Sequence, residues 1–161
     1  TGIDVKKSYP QVLIITPTRE LASQVAQEIR RLGRFMPNLK ILSLYGGTPM
    51  RGQIESLKHG AHIIVGTPGR LRDHQSRESI DLSHIKCVVL DEADRMLDMG
   101  FLDEISKILS NVNKKHQTLL FSATFDESIK KLCSEVTNDA IEVKVDTNHD
   151  EDKIQEDHFQ V

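Results

Sequence analysis

The carboxylates of Asp91, Glu92 and Asp94 have the clearest potential for chemistry in this sequence, and they directly follow the apolar run 85–90. A β-branched run that ends in carboxylates is typical of a buried strand that brings charge to the edge of a sheet. In an α/β fold, that edge is where a divalent cation and a phosphate would be held. A simpler interpretation is a helix start, because acidic residues in a first turn complement the helix macrodipole.

Three other segments, 15–19, 45–49 and 65–70, lead from an apolar run into a helix start. Their threonines suit the N-cap position and their prolines the first helical position, while their glycines permit close backbone approach. A helix start exposes N–H groups that favour phosphate, and Arg19 and Arg70 add positive charge beside two of them. One such segment is explained by capping alone. Three together predict a surface that follows a nucleic-acid backbone, with little sequence information in the contacts.

Strand-like and helix-like segments alternate along the chain, which predicts βαβ units and a mostly parallel sheet. The predicted strands are 12–15, 41–44, 62–65, 87–90 and 117–122. Amphipathic helical segments lie between and after them, at about 21–32, 50–57, 102–109 and 128–136, with a short helix through Leu71. Residues 141–145 alternate in the manner of an edge strand.

Composition sets limits on the function. The 161 residues with 38% hydrophobic content suffice for one domain, and the 4% aromatic content argues against base stacking as the main binding energy. Residues 1–86 carry 13 basic against 7 acidic side chains, whereas residues 87–161 carry 8 against 17. A basic half could face phosphates while an acidic half holds a cation. Two cysteines without metal-ligand spacing and the absence of a membrane-spanning or signal segment predict a cytoplasmic protein.

Five segments together resemble the motifs of the first RecA-like domain of DEAD-box RNA helicases, in the order of that family. They are residues 17–22 (motif Ia), Gly46–Gly47 (the GG doublet), 67–70 (motif Ib), 91–94 (motif II) and 122–124 (motif III). Residues 34–38, 71–74 and 95–101 are further similar to a bacterial member of the family. The resemblance implies an α/β, RecA-like fold of the P-loop NTPase type, with a mostly parallel sheet flanked by helices.

The resemblance also implies roles for the acidic residues, with ATP and Mg²⁺ as cofactors. Asp91 would hold Mg²⁺ through water and thereby the phosphates of ATP, and Glu92 would orient or deprotonate the attacking water. Asp94 would bond Ser122 and Thr124, which would relay the state of the nucleotide to the RNA side.

Nine residues are implied to contact the sugar-phosphate backbone of single-stranded or duplex RNA. They are Pro17, Thr18, Arg19, Gly46, Gly47, Thr67, Pro68, Gly69 and Arg70. As an alternative for one of them, Arg70 and Glu20 would brace one another.

The sequence departs from the family pattern. It contains no G-x-x-x-x-G-K-[ST] loop; the nearest candidate, Lys7-Ser8, has Lys6 where the glycine should be. We therefore expect residues 1–145 to form a partial first RecA-like domain that lacks the P-loop strand, and the acidic residues 146–161 to be a linker toward a second RecA-like domain. This chain alone should neither hydrolyse ATP nor unwind RNA. Loss of the P-loop strand should expose the edge at 119–122 and favour self-association.

Three other functions stay open at this point. The chain could be a non-catalytic module that binds RNA or a protein partner. It could also derive from a DNA-directed helicase or translocase. A simple carboxylate–metal hydrolase would need further ligands near Asp91, for which Asp94 and Asp98 are the available carboxylates.

Overall fold

The computed structural model describes residues 2–137 and 139–144, and its centre is a parallel sheet of five strands. The strand order is β2-β3-β1-β4-β5, and every neighbouring pair is parallel. The predicted mostly parallel sheet is thereby confirmed. The strands are β1 (Val12–Ile15), β2 (Ile41–Leu44), β3 (Ile63–Gly66), β4 (Cys87–Leu90) and β5 (Gln117–Leu120).

Helices connect the strands and cover both faces of the sheet. They are α1 (Arg19–Leu32), α2 (Met50–Lys58), α3 (Pro68–Ser76), α4 (Ala93–Asp98), α5 (Leu102–Leu109) and α6 (Glu127–Val136), with a 3₁₀ turn at Gly33–Phe35. No helix in the described part of the chain has the length and apolar character needed to cross a membrane.

The alternation of side chains along each strand divides the core into two layers. Leu13 and Ile15 of β1 point to the larger layer, whose helical residues come mainly from α4, α5 and α6. Ile14 points to the smaller layer, where Ala22 and Ala26 of α1 cover the sheet. Because β1, β3 and β4 are covered on both faces, their sequences are nearly continuous apolar runs.

The carboxyl ends of all five strands lie in one row. Leu44, Gly66, Ile15, Leu90 and Leu120 are successive register partners across the sheet. Neighbouring strands are about 4.8 Å apart. The segments that leave these ends are therefore spaced one strand apart along a single edge, in the spatial order GG doublet, motif Ib, motif Ia, motif II and motif III.

The edge strand β5 has no further neighbour among the described residues, as expected from the open edge predicted at 119–122. Leu119 is 38% and Phe121 is 55% exposed. Self-association through this edge stays a prediction.

Three local predictions were wrong. Strand β5 ends at Leu120 rather than Ser122, because the chain bends toward α6 at Ala123. Residues 141–144, the described part of the edge strand predicted at 141–145, form no strand, since they pair with no neighbour among the described residues, and the side chain of Ile141 is exposed. Leu32 is exposed at the end of α1, although the helical pattern assigned it to the buried face. The predicted linker 146–161 lies outside the described residues.

Candidate functional site

The acidic segment continues directly from the end of β4. The backbone N–H of Asp91 donates to the carbonyl of Ile15 at 3.0 Å, so this residue still belongs to the paired part of the sheet. Glu92 then adopts a left-handed conformation with φ 51° and ψ 52°, and α4 begins at the next residue. A left-handed backbone is unfavourable for a residue with a β-carbon, and such strain is concentrated at functional sites. The strand-to-helix change within one residue places both carboxylates at the edge.

Asp91 is half-buried, and its environment disfavours the ionised carboxylate. Burial is the main cause that raises the pKa of Asp91; the hydrogen bond from the Glu92 N–H at 3.1 Å opposes it, and the charge of Glu92 adds to it. A carboxylate kept partly out of water next to another carboxylate benefits from an added cation.

We expect Asp91→Asn to raise the thermal stability of the chain at neutral pH. A carboxyl whose pKa is higher in the folded state stabilises the fold below its unfolded pKa, and this contribution is lost as pH rises through the folded pKa. At pH 7 the ionised Asp91 therefore costs stability, and asparagine removes the charge while keeping an acceptor for the Glu92 N–H. Melting curves at pH 7 and below about pH 4 test this, since the advantage should shrink at the lower pH.

The exposed Asp98, the last residue of the following helix α4, provides a control with the same change in net charge. Asp98→Asn should not reproduce the gain. If Asp91→Asn melted at or below the wild-type temperature at pH 7, the prediction would be wrong.

Asp94 links motif II to motif III. Its Oδ2 accepts the Thr124 backbone N–H at 3.1 Å and the Thr124 hydroxyl at 3.2 Å. Desolvation acts to raise the pKa of Asp94, but hydrogen bonds from the N–H groups of Arg95 and Thr124 and from the Thr124 hydroxyl outweigh it, so the pKa is lowered. The ionised carboxylate is therefore the form that fits this link.

The predicted bond between Asp94 and Ser122 is not formed. The Ser122 hydroxyl is buried and has no hydrogen-bond partner in the described part of the chain. In an extended segment, residues two apart share a face, so Ser122 lies on the side of Leu120, which packs against the larger core layer. The bend at Ala123 brings only the Thr124 side chain to Asp94.

The acidic segment fits a cation that takes one ligand from the protein and its other ligands from water or phosphate. Within residues 2–137 and 139–144, no group of three His, Cys, Asp or Glu side chains converges on a metal position. The Glu92 carboxylate lies 3.2 Å from Arg95 Nη1, and the Asp94 carboxylate is bonded by Thr124, which leaves Asp91 as the carboxylate of this segment that is available to a cation. Mg²⁺ commonly binds through one or two carboxylates, with water and phosphate oxygens as its other ligands.

The segments that follow β1 and β2 enclose a shallow cleft of about 450 Å³. Arg19, Gly46, Gly47 and Thr48 are among its lining residues. Gly47 has φ 82°, a backbone conformation that favours glycine, whereas a β-carbon there would only displace the end of the exposed Arg19 side chain. The cleft combines exposed backbone with a guanidinium, the donors that bind phosphate.

Some of the predicted RNA-contacting residues stabilise the helix starts and loops, whereas others are exposed to solvent. The Thr18 hydroxyl accepts the Leu21 N–H at 3.2 Å and caps α1, whereas the Thr67 hydroxyl makes no capping bond to α3. Pro17 and Pro68 are buried, a placement that supports the loops rather than offering a contact surface. The exposed residues of the nine are Arg19, Gly47 and Gly69.

Arg70 packs against the GG loop and not against Glu20. Its Nη1 donates to the Thr48 carbonyl at 3.1 Å, and its side chain is 13% exposed. Glu20 instead lies 3.8 Å from Arg19, and Arg70 Nε lies 3.9 Å from Asp73. The alternative pairing of Glu20 with Arg70 is therefore wrong. Each residue instead pairs with a neighbour on its own helix, which lies nearer.

Sequence reasoning missed Gln53 and His74, whose side chains connect the GG loop to Arg70 on α3. Gln53 Oε1 lies 3.2 Å from Arg70 Nη1 and 2.9 Å from His74 Nε2. The available signal was the spacing of His74 three residues after the buried Leu71, which places a polar ring on the apolar face of α3.

Comparison with known proteins agrees with this arrangement. The model of the DEAD/DEAH box helicase family matches residues 2–132. The chain is 49% identical over 145 residues to the ATP-dependent RNA helicase DbpA of Escherichia coli K12, covering 90% of this chain and 32% of that protein. It is 50% identical over 135 residues to the DEAD-box ATP-dependent RNA helicase CshA of Bacillus subtilis 168, covering 84% and 27%.

A solved structure has the same fold. The crystal structure of a DEAD box protein from the hyperthermophile Methanococcus jannaschii superimposes with a TM-score of 0.80 at 45% identity, over 85% of this chain and 37% of that one. The chain thus spans between about a quarter and a third of the length of the curated relatives it matches. It belongs to the DEAD/DEAH box helicase family.

Proposed function

We propose that this chain is the RNA-facing part of the first RecA-like domain of an ATP-dependent RNA helicase. Residues 1–145 form that part, and residues 146–161 lead toward a second RecA-like domain. Unwinding and ATP turnover belong to the longer protein, whose activity needs groups from both domains. We further propose that the protein works in the cytoplasm.

The observation that carries the proposal is the single row of strand ends. The GG doublet, motif Ib and motif Ia follow three neighbouring strands, β2, β3 and β1. We propose that their glycines, N–H groups and arginines together receive a sugar-phosphate backbone. Contacts of this kind bind RNA without reading its sequence.

The nucleotide side of the proposal rests on motif II. Asp91 would hold Mg²⁺ through water, and Glu92 would orient or deprotonate the water that attacks the terminal phosphate of ATP. When bound, Mg²⁺ neutralises charge on the phosphates. The raised pKa of Asp91 favours such a cation, because the cation restores the interaction that burial removes from the carboxylate.

The bond between Asp94 and Thr124 would connect the nucleotide-binding side of the domain with the RNA-binding side. Motifs II and III follow the neighbouring strands β4 and β5, and the N–H and hydroxyl of Thr124 both bond Asp94. A small movement of motif II on nucleotide binding would therefore move motif III with it.

We expect Gly69→Ala to weaken RNA binding about tenfold while leaving the fold intact. Gly69 is exposed in the first turn of α3, and a β-carbon there meets no atom within 4 Å. Alanine in a helix should add up to about 1 kcal/mol of stability. A methyl group on this surface would, however, keep an RNA backbone from approaching the helix start. Fluorescence anisotropy with a short fluorescein-labelled oligouridylate measures the affinity, and a melting curve measures the stability.

Gly52→Ala is the matched control. Gly52 is also exposed in the first turn of a helix, and it also has open space where a β-carbon would lie, but it belongs to none of the five motifs. It should bind RNA as the wild type does. Equal affinities for wild type and Gly69→Ala would count against RNA binding at this surface.

A further inference from the structure

The side-chain amide of Gln53, on α2, makes four hydrogen bonds that connect the loop around the GG doublet with two side chains of α3. Its Nε2 donates to the Tyr45 carbonyl at 3.0 Å and to the Thr48 hydroxyl at 2.6 Å. Its Oε1 accepts from Arg70 Nη1 at 3.2 Å and lies 2.9 Å from His74 Nε2. A carbonyl only accepts hydrogen bonds, so the contact with Tyr45 fixes the amide orientation, with its oxygen toward Arg70 and His74.

His74 anchors this amide from the core. The ring is fully buried on α3, and its Nδ1 lies 2.8 Å from the Ser79 hydroxyl. Because Gln53 Oε1 is an acceptor, His74 Nε2 must carry a proton. The single proton of the Ser79 hydroxyl has two acceptors within reach, His74 Nδ1 at 2.8 Å and the His74 carbonyl oxygen at 3.0 Å, and in the neutral ring it is donated to Nδ1. Burial and the charges of Arg70 and Arg77 lower the pKa of His74, although the charge of Asp73 opposes them. The lowered pKa favours the neutral ring.

The network fixes the two groups that would meet a phosphate. Tyr45 and Thr48 flank the GG doublet, so the amide holds both ends of that loop. Arg70 Nη1 is shared between Gln53 and the Thr48 carbonyl. Within the described residues Nη2 makes no hydrogen bond, which leaves its N–H groups for a ligand. A guanidinium held in one rotamer loses less conformational entropy when it binds phosphate.

We infer that Gln53, anchored by His74, is a positioning residue that holds the GG loop and Arg70 in the arrangement that receives the RNA backbone. The inference rests on the proposed RNA-binding function and assigns to it two residues outside the five motifs. Neither residue needs to touch RNA.

The test uses Gln53→Met, which keeps the length of the side chain and removes all four hydrogen bonds. We expect RNA affinity, measured with the same labelled oligouridylate, to fall about tenfold, since bonds to a charged partner are among those lost. In an Arg70→Met background the same substitution should have a smaller effect, because the part of its action that passes through Arg70 is already lost. The ¹⁵N NMR spectrum of His74 should show a single Nε2–H tautomer in the wild type and lose that state in Gln53→Met.

Gln75→Met is the matched control. Gln75 also lies partly buried in a hydrogen-bond network, but it joins Arg72 to the Ile108 carbonyl, away from the GG loop. It should leave both RNA affinity and the His74 tautomer unchanged. Unaltered RNA binding by Gln53→Met, or an equal loss with and without Arg70, would overturn this inference alone. Absence of saturable RNA binding by the wild type would overturn both the inference and the proposed function.

Discussion

Replacing Gly66 by alanine is expected to lower the free energy of unfolding by about 1–3 kcal/mol. Gly66 ends the buried strand β3, and a β-carbon there would lie 2.6 Å from the Leu44 carbonyl oxygen and 3.0 Å from the Leu71 side chain. The oxygen belongs to the backbone of β2 and accepts the Thr67 N–H at 3.1 Å, so it cannot move away without loss of pairing. Urea denaturation followed by circular dichroism measures the change.

Gly46→Ala is a suitable control for this effect. Gly46 follows the end of the neighbouring strand β2, and a β-carbon there would meet no atom within 4 Å, so the same substitution should cost little. The two variants differ in the space around the added methyl group. If they were equally stable, close packing at the carboxyl ends of β2 and β3 would not be what requires glycine at position 66.

Replacing Met96 by alanine is expected to cost about 2–5 kcal/mol, the range for large-to-small changes in a closed core. Met96 lies in the larger core layer and is fully buried. Helix α4 has 6 residues, too few for stability on its own, so its burial must hold it in place. Because α4 carries Asp94 and starts directly after Glu92, the cavity should also loosen motif II. Thermal and urea denaturation give the loss of stability.

Met99, three residues later, serves as the control because it is 48% exposed. Met99→Ala should change the free energy of unfolding by less than about 1 kcal/mol. A small loss for Met96→Ala would mean that the site collapses around the missing side chain, and that motif II does not depend on this contact.

The sequence predicted the elements that have a strong physical signature. Strands β1 and β4 are continuous apolar runs, and such runs form where a strand is covered on both faces. Once the strands are parallel, the segments that follow them must meet at one edge. The placement of motifs Ia, Ib, II and III along that edge therefore followed from the order of strands and helices.

Side-chain pairing could not be predicted in the same way. Which hydroxyl reaches Asp94 depends on the bend at Ala123, which turns Thr124 outward and leaves Ser122 facing the core. Likewise, the neighbours of Arg70 depend on how α2 packs beside α3. The position of Gln53 under the GG loop is a property of that packing, and no local pattern in the sequence marks it.

The central position of β1 has a consequence for how the sheet forms. This strand precedes the other four described strands in the sequence, yet its partners are residues 63–66 on one side and 87–90 on the other. During synthesis β1 cannot form these two pairings until both later segments have emerged. Long-range pairing of this kind gives a high contact order and slow folding. The rate at which the row of strand ends assembles should therefore depend on how soon β3 and β4 pair with β1. Substitutions in those two strands should change the folding rate more than substitutions in α1.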